Sequence, residues 1–159
     1  MKIVVGIADM QVSKKPGDVL ITYSLGSCIG LVIWDPQAKV AGMLHYMLPD
    51  PGPDKNKALE RPFMFASSGV PALFKAVYGL GAEKSRLIVK AVGGSQVMDA
   101  AGVFNIGKRN FEILTRMFAK NNIQIAKQDI GGNVNRTVSI DVNSGTTILK
   151  VSGRGEFEL

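Results

Sequence analysis

The sequence predicts an α/β protein: a layered α/β sandwich with a mainly antiparallel or mixed sheet and two principal helices. Three observations lead there. About seven or eight short runs rich in β-branched and aromatic residues are joined mostly by short turns, which favours antiparallel neighbours over a doubly wound parallel sheet. Two longer stretches carry apolar residues at helical spacing. The chain has 159 residues, 46% apolar and 20% charged, close to the roughly 150 residues of one domain, so residues 1–159 are read as a single domain with its own core.

The elements follow in order. Lys2 to Ile7 is a β-branched run suited to a strand, and Pro16-Gly17 turns the chain into a second run, Val19 to Tyr23. Leu25-Gly26-Ser27-Cys28-Ile29-Gly30 places two glycines around a cysteine, a pattern of tight backbone or close approach. Ile29 to Trp34 reads as a buried strand, Asp35 to Lys39 as a hairpin loop, and Val40 to Leu48 as the return strand, closed by Pro49-Asp50-Pro51-Gly52-Pro53. Asp50 to Arg61 is polar and reads as an exposed loop. A helix follows with Ala66, Val70, Leu73, Phe74 and Val77 on one face. Pro71 leaves its start open: either a Ser67 or Ser68 cap puts the proline in the first turn, or the helix begins earlier and bends there. Leu87 to Val92 is the next strand, then Gly93-Gly94, then a helix over Gly107 to Lys120 that buries Ile106, Ile113, Leu114, Met117 and Phe118, with Asn105 as a cap. Ile123 to Ala126, Thr137 to Val142 and Thr147 to Val151 complete the strands.

One cysteine and one histidine, Cys28 and His45, exclude an internal disulfide and a Cys/His-rich zinc site. With the hairpin loop centred near Gln37, paired positions sum to about 73–75, which sets Cys28 opposite residues 45–47 and brings the histidine to the cysteine. A one-residue slip in register would send the two side chains to opposite faces. A buried cysteine is ordinarily a small core hydrophobe. Its glycine neighbours, its place at a turn and the nearby imidazole point instead to a nucleophile for acyl transfer, with the imidazole favouring a thiolate–imidazolium pair.

Other signals are weaker. The net charge of +6 points to an acidic partner, but no run of Lys or Arg and no interleaved aromatics support a nucleic-acid groove. The N-terminal apolar run is too short for a signal-peptide core, and Val19 to Trp34 falls below a membrane span, so a cytoplasmic protein is expected. Gly93-Gly94-Ser95 matches no phosphate-binding loop, and Asn135-Arg136-Thr137 is a glycosylation sequon without a secretory context. Met43, Met47, Met64, Met98 and Met117 follow no period and are read as packing residues.

Together, Leu25-Gly26-Ser27-Cys28, the Asp35-Pro36 to Lys39 hairpin, Gly42-Met43-Leu44-His45-Tyr46-Met47-Leu48-Pro49, Gly93-Gly94, Asn105-Ile106-Gly107 with Asn110, and Asp129-Ile130-Gly131-Gly132 with Arg136 resemble CheD, the chemoreceptor glutamine deamidases of chemotaxis. The resemblance spans nearly the whole chain. It implies Cys28 as nucleophile, His45 as general base and acid, and Thr22 as the residue that orients the imidazole. It also implies a fold similar to the catalytic domain of the cytotoxic necrotizing factor toxins. Ser27 and Gly26 are candidates for shaping the site or stabilising an oxyanion. The chain departs from the family at Phe65-Ala66-Ser67, where Tyr-x-Asp is usual, and at Val92, where Phe often precedes the glycines.

The implied reaction is deamidation of receptor glutamines through a thioester, without metal or organic cofactor. The implied partners are chemoreceptor cytoplasmic helices as substrate and a CheC-type phosphatase, with no nucleic acid and no membrane insertion. A role confined to docking on receptors or on CheC is the alternative.

Overall fold

The computed structural model describes residues 1–96 and 104–159, so the sequence reading of Met98 lies outside the described residues. Among the described residues ten strands form two five-stranded sheets. They are β1 (Lys2–Val4), β2 (Asp9–Ser13), β3 (Val19–Leu25), β4 (Ile29–Asp35), β5 (Val40–Tyr46), β6 (Ile88–Gly93), β7 (Lys127–Ile130), β8 (Arg136–Asp141), β9 (Thr147–Val151) and β10 (Gly155–Glu158). The first sheet runs β1-β3-β8-β9-β10 and the second β2-β5-β4-β6-β7. Among the described strand pairs only β1–β3 and β6–β7 are parallel. The helices are α1 (Asn56–Glu60), α2 (Ala66–Gly79) and α3 (Ile106–Lys120).

The result is a layered α/β sandwich of mixed sheets, with two sheets where the sequence suggested one. The reason lies in the central strands. Every residue of β5 is buried, and every residue of β4 but Trp34, so both faces of the second sheet are covered and period-two alternation is lost. Ile29, Leu31, Ile33, Val40, Leu44 and Tyr46 pack with α2 and α3. Val32, Ala41, Met43 and Val92 pack with Leu20, Leu25 and Val138 of the first sheet. Burying each Val, Leu, Ile or Met side chain among these contributes about 1.5–3 kcal/mol. Gly42 lets α2 approach the sheet: a Cβ there would stand 2.8 Å from both Leu73 Cδ1 and Val77 Cγ1.

Several expectations are corrected. The opening run Lys2 to Ile7 stops at Val4, and a separate strand, β2, pairs with β5 from Asp9↔His45 to Ser13↔Ala41. The polar loop Asp50 to Arg61 contains the short helix α1, which buries nothing. Helix α2 takes the earlier start: its N-cap is Phe65, Pro71 lies inside it, and Ser68 Oγ donates to Pro62 O at 2.6 Å instead of capping. Asn105 precedes α3 without a side-chain cap bond, and the buried residues of α3 are Gly107, Asn110, Leu114 and Phe118. Ile106, Ile113 and Met117 are half-buried. Ile123 to Ala126 is not a strand; the parallel partner of β6 begins at Lys127, while Ile123 and Ile125 pack on the core edge.

Candidate functional site

The hairpin of β4 and β5 pairs Ile29↔Tyr46 and Gly30↔His45. His45 therefore stands opposite Gly30, two residues beyond Cys28, so cysteine and histidine share one face of the sheet, offset by one pleat along the strand. Diagonal neighbours of this kind lie about 7–8 Å apart at the backbone, within reach of long side chains. That face looks into the layer between the sheets, where half-buried Cys28 packs against the core of the first sheet.

His45 is fully buried. Its Nδ1 lies 2.7 Å from Thr22 Oγ1, and Thr22 Oγ1 in turn donates to the carbonyl of Val5 at 2.7 Å. A hydroxyl has one hydrogen, and a carbonyl only accepts. Thr22 therefore spends its proton on Val5 and accepts the Nδ1–H of His45. The neutral ring then carries its hydrogen on Nδ1 and its lone pair on Nε2, the buried ring nitrogen that has no hydrogen-bond partner. Burial lowers the imidazole pKa to about 4, against a smaller upward pull from the Asp9 carboxylate. Burial also pushes the Cys28 thiol up to about 11, opposed by its own backbone N–H. Both shifts favour the neutral thiol and imidazole over a thiolate–imidazolium pair.

The turn carrying Cys28 is held at three successive carbonyls. Gly26 O accepts from Ser95 N and Cys28 O from Gly94 N, each at 2.9 Å. Ser27 O accepts from Asn110 Nδ2, also at 2.9 Å. In a planar trans peptide the N–H points opposite to the C=O, so the amides of Ser27 and Cys28 are turned away from these anchors. Among the described residues neither amide donates to another backbone carbonyl, and the Cys28 amide faces its own sulfur. The anchors are themselves braced by Arg136, whose side chain is 3% exposed and bonds Asp129 Oδ1 at 2.8 Å, Gly93 O at 3.1 Å, Ser95 Oγ at 2.9 Å and Gly131 O at 2.8 Å.

All five residues singled out from the sequence thus fall in one region: Gly26, Ser27 and Cys28 on the turn, His45 on β5 and Thr22 on β3. Val5, Asn110 and Arg136 were not assigned to the site beforehand. For Asn110 a signal existed, since a polar residue interrupts the inward stripe Gly107, Leu114 and Phe118 of α3. The carbonyl of Val5 has no side-chain signature and is reached only through the β1–β3 pairing.

Thr22→Val preserves the shape of the side chain and removes the acceptor for Nδ1–H. The expected result is a loss of about 1–3 kcal/mol from the unpaired buried ring donor and of about 10²-fold in any activity that uses Nε2 as a base. Thr22→Ser restores both, as read by urea denaturation and turnover.

Fold and site together define an α/β layered sandwich with a cysteine on the turn before β4 and a tautomer-locked histidine on β5. The chain belongs to the CheD family: the family model described as CheD chemotactic sensory transduction matches residues 47–151. Over 151 residues it is 48% identical to "Probable chemoreceptor glutamine deamidase CheD 1" of Syntrophus aciditrophicus (strain SB), covering 95% of this chain and 94% of that protein. It is 47% identical over 153 residues to "Probable chemoreceptor glutamine deamidase CheD" of Solibacter usitatus (strain Ellin6076), covering 96% of this chain and 90% of the relative. Among solved structures, Neisseria meningitidis protein NMB0706, of family-model DUF152, aligns with a TM-score of 0.42 and 8% identity over 82% of this chain and 63% of its own. Among the described residues no helix is long and apolar enough to cross a membrane.

Proposed function

We propose that the protein deamidates glutamine side chains on the cytoplasmic helices of chemoreceptors, with Cys28 as nucleophile, His45 as general base and acid, and Thr22 as the residue that orients the imidazole. The observation that carries this reading is the Thr22–His45 bond, which leaves Nε2 as a buried, unpartnered acceptor on the face it shares with Cys28. The names of the relatives support the substrate class.

Because burial holds both groups neutral, the thiol proton passes to Nε2 as Sγ attacks the carboxamide carbon, not before. The S–C bond forms and the carbonyl oxygen becomes an oxyanion. The amides of Ser27 and Cys28, turned away from the anchored carbonyls, are candidates to receive it, and a donor of this kind is worth about 10²–10³ in rate. His45 then returns the proton to the departing nitrogen, the C–N bond breaks, and ammonia leaves a thioester. Water, deprotonated by Nε2, attacks the thioester; the C–O bond forms, the S–C bond breaks, and the thiolate recovers its proton. Glutamate and free enzyme result.

The reading includes a cytoplasmic location, a CheC-type phosphatase as regulatory partner, and attraction between the +6 chain and acidic receptor helices. The test is peptide mass spectrometry of receptor cytoplasmic fragments incubated with the protein. Conversion of specific glutamines to glutamate is expected, falling to background with Cys28→Ala. Unaltered glutamines, or conversion by Cys28→Ala at the native rate, overturn it. Addition of a CheC-type phosphatase is expected to change the rate of conversion, and a rate indifferent to it removes that partner.

A further inference from the structure

Two backbone segments must stay in register for Cys28 and His45 to react: the turn before β4 and the end of β5. Beyond their last ladder pair, Ile29↔Tyr46, strand pairing no longer ties them. One side chain does. Asn110 of α3, fully buried, donates one amide hydrogen to Ser27 O at 2.9 Å and the other to Met47 O at 2.8 Å. Two carbonyl acceptors require the NH2 end at this position, which fixes the orientation of the amide. The backbone carbonyl of Asn110 also accepts from Tyr46 Oη at 2.6 Å, so α3 is joined to the residue next to His45 as well.

The cost of this arrangement is visible. Asn110 Oδ1 is buried without a hydrogen-bond partner. Neither Ser27 O nor Met47 O has a second donor among the described residues, so no other amide replaces the bridge. A side chain that ties nucleophile and base segments while leaving its own oxygen unsatisfied is placed for the bridge.

We propose that Asn110 is a positioning residue for the reaction: by bridging Ser27 O and Met47 O it sets the Cys28 turn against the end of the strand that carries His45. This rests on the assignment of Cys28 and His45 as the reacting pair. Displacing a reacting group by about 1 Å costs about 10²-fold in rate, and a loosened bridge acts in that range without touching substrate.

The test compares Asn110→Leu, which keeps most of the volume and loses both donors, with Asn110→Asp, which keeps the shape and reverses the polarity. Turnover on a receptor fragment is measured beside the rate of Cys28 alkylation by iodoacetamide as a function of pH. Both variants are expected to lose about 10²-fold in kcat with KM within about twofold of the native value, and to show a displaced alkylation profile. Asn110→Ser, which keeps one donor on a shorter arm, is expected to fall between, and it supplies the answer if the other two do not fold. Native kcat and a native alkylation profile in whichever of these variants fold, whatever their melting temperatures, overturn the inference. A Cys28→Ala protein that still deamidates overturns the function proposed above. An inactive Cys28→Ala beside fully active Asn110 variants overturns the positioning role alone.

Discussion

His45→Gln is expected to lower turnover by about 10²–10⁴-fold, the contribution of a positioned general base, while making the fold less sensitive to acid. The two effects have one cause. Burial holds the imidazole neutral, with its pKa lowered to about 4, whereas in the unfolded chain it titrates near 6.5. Between those values the unfolded chain binds a proton that the folded protein does not. Stability therefore rises with pH across this window and is lost as pH falls through it. For a fully buried group the difference is on the order of 3 kcal/mol once pH is below both values. Glutamine has nothing to titrate, so the variant lacks this contribution to the acid slope. Asp18, Asp129 and Asp141 also have lowered pKa values, but they are common to both proteins and cancel in the comparison. Urea denaturation at pH 7.5 and pH 4.5 gives the four stabilities required, and an identical pH difference in the two proteins refutes the assignment. The same burial sets the acid limb of kcat/KM. It is expected near pH 4, and a midpoint near 6.5 shows an exposed imidazole instead.

The residues legible in the sequence were those whose chemistry is local. Cys28 and His45 are each unique, the turn Asp35 to Lys39 marks the hairpin between them, and counting through it reached their common face. The observed register, Gly30↔His45, lies within the range that counting allowed, and preserved parity keeps both residues between the sheets. Thr22 came from family resemblance; spacing alone does not show that β3 of the other sheet lies across from β5. The errors are of one kind. Strand β2 has the sequence Asp-Met-Gln-Val-Ser, with no β-branched run, and exists because β5 offers it an edge. Strand β10 is exposed throughout and is defined by pairing with β9. Conversely, Ile123 to Ala126 looks like a strand, yet its isoleucines pack on the core edge while the pairing edge of β6 is taken by Lys127–Ile130. Pairing partners decide such segments, and partners distant in the chain are not written in local composition. Asn110 and Arg136 are the polar counterpart: both stand in the motifs that carry the resemblance, but that each is buried to hold backbone carbonyls depends on segments brought together by the fold.

Gly93→Ala is expected to destabilise the fold by about 2–6 kcal/mol and to abolish activity in whatever protein still folds. Gly93 adopts φ +114, and a Cβ built on it would lie 2.1 Å from the carbonyl oxygen of Cys28. The backbone conformation alone costs about 1–3 kcal/mol for a residue with a side chain, and overpacking adds about 1–3 kcal/mol. The clash is with backbone, so no rotamer relieves it. Either Gly93 or the Cys28 peptide must move. The first breaks the bond from Arg136 to Gly93 O and the Gly131 N bond to the same oxygen. The second breaks the bond from Gly94 N to Cys28 O and tilts the turn that carries Cys28. The contrast is Gly131→Ala, also at positive φ (+90) but with nothing within 4 Å of the added Cβ. It is expected to pay only the conformational part and to retain turnover within about tenfold. Thermal unfolding and deamidation by the two variants side by side separate backbone strain from collision with the Cys28 carbonyl. If Gly93→Ala proves no more harmful than Gly131→Ala, the close packing of Gly93 on the cysteine turn is not what holds Cys28 in place.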